Sequence, residues 1–125
     1  MGQTAIQRTI LIVEDEFLIR MSMVGTLEDA GFGVREAGDS AEALQMLERH
    51  DEIGVLMTDV RMPGRMDGLA LVAQVQIDHP AVRSIVVSGN VSAKEAGNAG
   101  ALGFVPKPYL PQTMIRAVHD TMSLH

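Results

Sequence analysis

The chain has 125 residues, 46% hydrophobic and 21% charged, with a formal charge of −6: the size and make-up of one globular domain with a real core. The acidic balance, the lack of a Lys/Arg-rich stripe and the small aromatic set of three Phe and one Tyr argue against a nucleic-acid module. Absence of cysteine excludes disulfides, thiolate chemistry and Cys-type zinc sites.

No apolar run reaches the length of a membrane span. Residues 1–8 lack the apolar centre of a secretory leader, and Ile6 stands where an acylation motif after Gly2 wants Ser or Thr. The expectation is a cytoplasmic chain forming one domain over 1–125, with its ordered core at about 8–124.

In chain order, Thr9–Val13 is an apolar run too short for a helix and apolar at both parities, as suits a central parallel strand. It ends in Glu14-Asp15-Glu16. The spacing of Phe17, Leu18, Met21, Val24 and Leu27 predicts a helix over 17–30 with that face inward, stopped by Gly31. A short strand over 32–36 is weakened by Gly33. Asp39-Ser40-Ala41-Glu42 reads as a capping box opening a helix with Ala43, Leu44, Met46 and Leu47 inward, fading near His50. Val55-Leu56-Met57-Thr58 is a buried strand that runs into Asp59, followed by a loop punctuated by Pro63, Gly64 and Gly68. A third helix carries Leu69, Val72, Ala73 and Val75 and ends before Pro80. Ser84–Ser88 is a fourth strand, broken by Gly89-Asn90. Residues 91–99 form a weak, Ala/Gly-rich helix; Gly103–Val105 is a brief fifth strand cut off by Pro106-Lys107-Pro108. A last helix from Pro111 carries Met114, Ile115, Val118 and Met122 on one face. Five strand–helix repeats with short links predict a parallel sheet with helices on both faces, in the flavodoxin-like doubly wound (βα)5 arrangement with strand order 2-1-3-4-5.

Such a sheet places Asp15, Asp59, Ser88 and Lys107, each at or just past a strand end, along one edge, where open α/β sheets bind ligands. Clustered carboxylates repel one another, and a hard divalent cation relieves that repulsion. Mg²⁺ takes one or two carboxylates, a phosphate oxygen and waters. Asp15 and Asp59 fit direct ligation, with Glu14 acting through water or orienting the others. A phosphoryl group arriving on Asp59 would meet the metal and Lys107 as countercharges and Ser88 as a hydrogen-bond donor, the parts phosphoryl transfer needs.

The segments Ile10–Glu16, Met57–Pro63, Met66-Asp67-Gly68, Val86–Gly89 and Gly103–Pro108, in this order and spacing, resemble the response-regulator receiver domain of bacterial two-component signalling. The resemblance implies a signalling switch rather than an enzyme. Asp59 would accept a phosphoryl group from a sensor histidine kinase or a histidine phosphotransfer protein. Glu14 and Asp15 would form the acidic pocket, and Mg²⁺ would also take the Arg61 backbone carbonyl. Ser88 would be the switch hydroxyl and Phe104 the switch aromatic; Lys107 would contact the phosphoryl group, with a cis Lys107–Pro108 bond. The output would be contact with a downstream protein, with no direct nucleic-acid or membrane partner, from a monomer or a weak phosphorylation-dependent dimer.

This chain departs from the family pattern at several points. Gly64 and Arg65 both stand between Pro63 and Met66, one residue more than usual, so the resemblance does not set that loop's path. Ser88 replaces the commoner Thr, and Gly89 replaces Ala and opens space beside the phosphate. Arg61 and Asn90 flank the site at variable positions and are expected, with Gly89, to tune the lifetime of the phosphorylated state.

Taken singly, these residues have plainer readings. Asp59 reads equally as a helix cap or Asx-turn residue, Glu14 and Asp15 as solvated acids, Lys107 as a surface lysine and Phe104 as a core aromatic. Met62 and Met66 are core filler or a partner surface. His50, His79, His119 and His125 share no metal spacing and read as surface residues. Two rival functions remain: a never-phosphorylated pseudo-receiver scaffold, and a Mg²⁺-dependent aspartyl-phosphate phosphatase. Arg61, where such an enzyme needs an acid, counts against the latter. The chain could also be a module of a longer regulator or hybrid kinase.

Overall fold

A computed structural model describes residues 9–124; the readings of residues 1–8 and of His125 lie outside them. The elements are β1 (Thr9–Val13), α1 (Phe17–Asp29), β2 (Gly33–Ala37), α2 (Ser40–Arg49), β3 (Ile53–Asp59), α3 (Gly68–Asp78), β4 (Arg83–Ser88), α4 (Ala93–Ala99), β5 (Gly103–Pro106) and α5 (Pro111–Met122). All four strand pairings are parallel, in the order β2-β1-β3-β4-β5. The predicted (βα)5 topology and strand order are those observed.

Two core layers sandwich the sheet. Leu11, Val13, Leu56 and Val86 face α2, α3 and α4; Ile10, Ile12, Met57, Val87 and Val105 face α1 and α5. β3 breaks its alternation near Gly54, since Ile53 belongs to the first layer and Val55 to the second. The β1–β3 register shifts there, Thr9 pairing with Ile53 and Ile10 with Val55.

The helix ends follow from local chemistry. Asp39 accepts the Glu42 N–H (2.8 Å), while Glu42 bonds the Gly38 N–H (2.7 Å), one residue upstream of the position a strict capping box uses. In α4 Ser92 and Glu95 do form a full capping box, and Gly100 closes the helix at φ 114°. Ser92-Ala93-Lys94-Glu95 carried that signal in plain view, and it makes the segment a better-defined helix than its Ala/Gly content predicts.

Three expectations need correction. The α1 face is only partly as expected: Leu27 is buried and Val24 packs on the second core layer, with Met23 buried beside them, whereas Phe17, Leu18 and Met21 are 58%, 79% and 52% exposed. Apolar residues surround most of this helix, so periodicity alone selects no single stripe. In α3 the buried residues are Gly68, Leu71, Val72 and Val75, and Ala73 is exposed. His50 and His79 are half-buried rather than surface residues. Each is the C-cap of its helix and pairs with a glutamate, His79 Nε2 with Glu48 (3.1 Å) and His50 Nδ1 with Glu52 (3.8 Å). Met62 and Met66 pack against the first core layer, the filler reading.

Among the described residues, no helix is long and apolar enough to cross a membrane.

Candidate functional site

The parallel sheet brings the carboxyl ends of β1, β3, β4 and β5 to one edge. Asp59 ends β3, and both its oxygens are engaged: Oδ1 accepts the Val60 N–H (2.7 Å) and Oδ2 accepts from Lys107 Nζ (2.9 Å). Burial alone would lower the Lys107 pKa. The hydrogen bond to Asp59, its charge and that of Glu14 outweigh burial and hold the ammonium above its ordinary value. Lys107 reaches the site from the link after β5, whose Lys107–Pro108 peptide is cis as the resemblance implied, and its N–H bonds the Ser88 carbonyl (3.1 Å).

Glu14 follows β1 and lies buried, 2% exposed, while Asp15 stands exposed at the rim. Glu14 Oε2 accepts the Glu16 N–H (2.9 Å), whereas the buried Oε1 has no partner. Burial, then the Asp59 charge and the Asp15 and Asp59 side chains, raise the Glu14 carboxyl from its ordinary 4.5 to about 7; the Glu16 N–H opposes them. A buried carboxylate oxygen without a donor, among further carboxylates, suits a hard cation. Among the described residues no three acidic or histidine side chains form a complete metal cage. Magnesium, which keeps several waters, needs only one or two carboxylates. One or two carboxylates drawn from Glu14, Asp15 and Asp59, completed by waters, therefore fit Mg²⁺.

The raised Glu14 pKa has a stability consequence without metal. The folded chain holds this proton more tightly than the unfolded one, so Glu14's contribution is full below pH 4.5 and is lost as pH rises to about 7. In Mg²⁺-free buffer, wild type should lose urea resistance relative to Glu14→Gln across that window. Parallel pH curves for the two proteins would count against it.

Ser88 ends β4, buried, and its Oγ accepts the N–H groups of Asn90 (3.0 Å) and Val91 (3.2 Å). Both bonds use the oxygen's lone pairs, so the hydroxyl proton remains to donate. A Cβ added at Gly89 would lie 3.5 Å from the Lys107 Cβ, ordinary contact, so the site has room there for alanine. Phe104 stands half-buried in β5, packed on the first core layer and lining an open cavity of about 330 Å³ with Leu102, Arg116 and Leu124. Arg61 and Asn90 are exposed.

The lengthened loop is held at both ends. Gly64 takes up a turn at φ 99°, the Ser40 hydroxyl bonds the Met66 carbonyl (2.9 Å), and the Gly68 N–H returns to the Val60 carbonyl (2.8 Å). A Cβ on Gly68 would overlap the Asp59 carbonyl oxygen.

Sequence reasoning missed Arg20. Its guanidinium bonds the Glu14 carbonyl through Nη1 (2.6 Å) and Glu36 Oε1 through Nε (3.0 Å), and sits 5.7 Å from the Phe17 ring centroid. A lone charge between Phe17 and Leu27, in an otherwise uncharged stretch, was the available signal. Also unforeseen is an apolar surface beside the site: Leu18, Ile19, Pro108 and Tyr109 line a broad open depression with Lys107.

Comparison with known proteins agrees with this fold. The family model for the response regulator receiver domain matches residues 10–119. The sensor kinase CckA of Brucella abortus is 36% identical over 118 residues, covering 91% of this chain and 12% of that protein. The transcriptional regulatory protein PdtaR of Mycobacterium tuberculosis is 35% identical over 125 residues, covering 98% of this chain and 60% of that protein. The chain thus spans less than two thirds of either curated relative. Among solved structures, the receiver domain of NtrX from Brucella abortus superposes with a TM-score of 0.85 at 29% identity, covering 93% of this chain and 99% of that one. The chemotaxis protein CheY4 of Vibrio cholerae gives 0.83 at 28% identity, covering 91% and 98%. Receiver domains are signalling switches and generally not enzymes. With its parallel sheet in the order 2-1-3-4-5 and Asp59 and Lys107 paired at the sheet's edge, this chain belongs to the response-regulator receiver domain family.

Proposed function

We propose that the chain is a phosphoacceptor switch in a cytoplasmic two-component pathway, with Asp59 taking the phosphoryl group from a histidine kinase or histidine phosphotransfer protein. The observation that carries this reading is the Asp59–Lys107 pair beside the orphaned Glu14 oxygen. A carboxylate oxygen of Asp59 attacks phosphorus, the donor's P–N bond breaks, and the imidazole leaves with the electron pair. Glu14, Asp15, Asp59 and the Arg61 carbonyl would hold Mg²⁺, which would supply positive charge against the phosphoryl oxygens. Lys107, now on Asp59 Oδ2, meets a phosphoryl oxygen instead, and the Ser88 hydroxyl donates to another.

Drawing Ser88 toward the phosphate loosens its hold on the Asn90 and Val91 N–H groups, which lead into α4. Phe104 has a cavity beside it in which to change its seat. The output is then a repacked surface around α4 and β5 that a downstream protein reads, whether from a monomer or a weak phosphorylation-dependent dimer. Exposed Leu18 and Ile19, with Pro108 and Tyr109, give a phosphodonor protein an apolar footing next to Asp59.

Intact mass after incubation with Mg²⁺ and acetyl phosphate tests the reading. One added phosphoryl group, absent without Mg²⁺, is expected; none under any condition would favour a pseudo-receiver. Leu18→Asp should keep uptake from acetyl phosphate and lose uptake from a protein donor. Arg61 and Asn90 stand exposed at the site's approaches and meter water reaching the phosphoryl group. Arg61→Ala and Asn90→Ala should each change the dephosphorylation rate several-fold, roughly 1 kcal/mol of barrier; unchanged rates in both would remove that role.

A further inference from the structure

We infer that Arg20 is a positioning residue for the acidic pocket, acting through the main chain of Glu14; the inference rests on the Mg²⁺-dependent reading above. The Arg20 side chain is only 17% exposed, beside a pocket holding the Glu14, Asp15 and Asp59 carboxylates. A guanidinium so placed would ordinarily pair with those acids and compete with a metal. Its bonds go elsewhere: Nη1 to the Glu14 carbonyl (2.6 Å) and Nε to Glu36 at the end of β2 (3.0 Å).

The carbonyl bond has a specific geometric effect. The Glu14 carbonyl belongs to the planar peptide joining Glu14 to Asp15, so holding its oxygen fixes that plane. The plane sets where the Asp15 Cα and side chain begin. On the other side, the Glu16 N–H holds Glu14 Oε2. Three successive acids that would otherwise sit in a free link between β1 and α1 are thus fixed from both sides. The Arg20 N–H, bonded to the Glu16 carbonyl (2.9 Å), ties the same link to the first turn of α1. The bond to Glu36 occupies the guanidinium's charge on an acid outside the pocket. A planar fork can hold a carbonyl and a carboxylate at once, which the single ammonium of lysine does less well.

Charge and position predict opposite signs, which makes the inference testable. Removing a nearby cation should, by Coulomb's law alone, tighten binding of a divalent cation. Removing a positioning bond should weaken it, by about tenfold for an outer group that orients a metal ligand. The experiment is calorimetric titration of Mg²⁺ into wild type, Arg20→Met, Arg20→Lys and Glu36→Gln, with thermal unfolding of each. Expected is a rise of about tenfold in the Mg²⁺ dissociation constant for Arg20→Met, a comparable rise for Arg20→Lys although its charge is kept, and a change within about twofold for Glu36→Gln. Unchanged or tighter binding by Arg20→Met overturns the inference. A lowered Tm with an unchanged dissociation constant also overturns it, by making the role structural only. Should Arg20→Met fail to fold, Arg20→Lys decides the matter alone. Wild-type binding with unaltered variants overturns this inference and spares the parent reading; no Mg²⁺ binding by wild type overturns both.

Discussion

Replacing Asp59 by asparagine is expected to abolish phosphoryl incorporation, read as no added mass on the intact chain after incubation with Mg²⁺ and acetyl phosphate. Asparagine keeps the shape of the side chain but not its nucleophile, since an amide oxygen carries no full negative charge to direct at phosphorus. The two aspartate oxygens now meet two donors, the Val60 N–H and Lys107 Nζ. An amide has one acceptor oxygen and an NH2 group, so one of these donors is left facing another donor. That mismatch costs about 1–3 kcal/mol in a partly buried site. The variant should therefore fold, less stably, and take up no phosphate. The Glu14 carboxyl should fall from its value of about 7 when the Asp59 charge is removed, and stay above 4.5 because burial is the larger cause. Phosphate on the Asp59→Asn chain would place the acceptor elsewhere and end the assignment.

The second large effect is steric. Gly68→Ala should lower stability by roughly 2–4 kcal/mol, and it should also impair phosphorylation. The added methyl would collide with the Asp59 carbonyl oxygen and lie 2.8 Å from the Asp59 carbonyl carbon and the Val60 Cα. All three are backbone atoms of the acceptor segment, so no side-chain rotation relieves the clash. The Gly68 N–H bond to Val60 would stretch, and the loop that starts at Asp59 would shift at its root. Chemical denaturation measures the first effect and intact mass the second. Stability within about 0.5 kcal/mol of wild type, the range usual for surface changes, would mean that the backbone there yields easily.

The buried strands were legible because, in a chain of alternating elements, a short continuous apolar run ending in polar residues suits little besides a covered strand. β1, β3 and β4 carry that pattern, and parallel pairing of such strands is enough to put Asp15, Asp59 and Ser88 on one edge. The orientation of α1 was not legible, because its apolar residues are spread around the helix. Which of them turn inward depends on partners remote in sequence, such as Met114 and Val118 in the same core layer. The contrast between buried Glu14 and exposed Asp15 is likewise tertiary: two adjacent acids look alike until a neighbouring strand covers one. The Glu14 N–H bonds the Ala37 carbonyl of β2 (3.1 Å), a contact that no local pattern announces. Arg20 escaped because its main partner is a backbone carbonyl, which has no sequence signature. The α4 capping box was readable in Ser92 and Glu95, but Gly97 and the surrounding alanines dominated the propensity argument.

α4 also behaves as a self-terminated piece of machinery. Its seven residues bury one side chain, Ala96. Its first donors are closed by Ser92 and Glu95, and its last carbonyls by the N–H groups of Gly100 and Ala101. These caps come from within residues 92–101 themselves, which satisfy part of the backbone that a helix end leaves unpaired. Such a segment is built so that it could slide or tilt on its neighbours like a cartridge in a shallow seat and arrive in a new place as the same helix. Under the proposed phosphoacceptor reading, a message leaving Asp59 by this route would be carried as displacement, and a receiving partner would read where the helix lies.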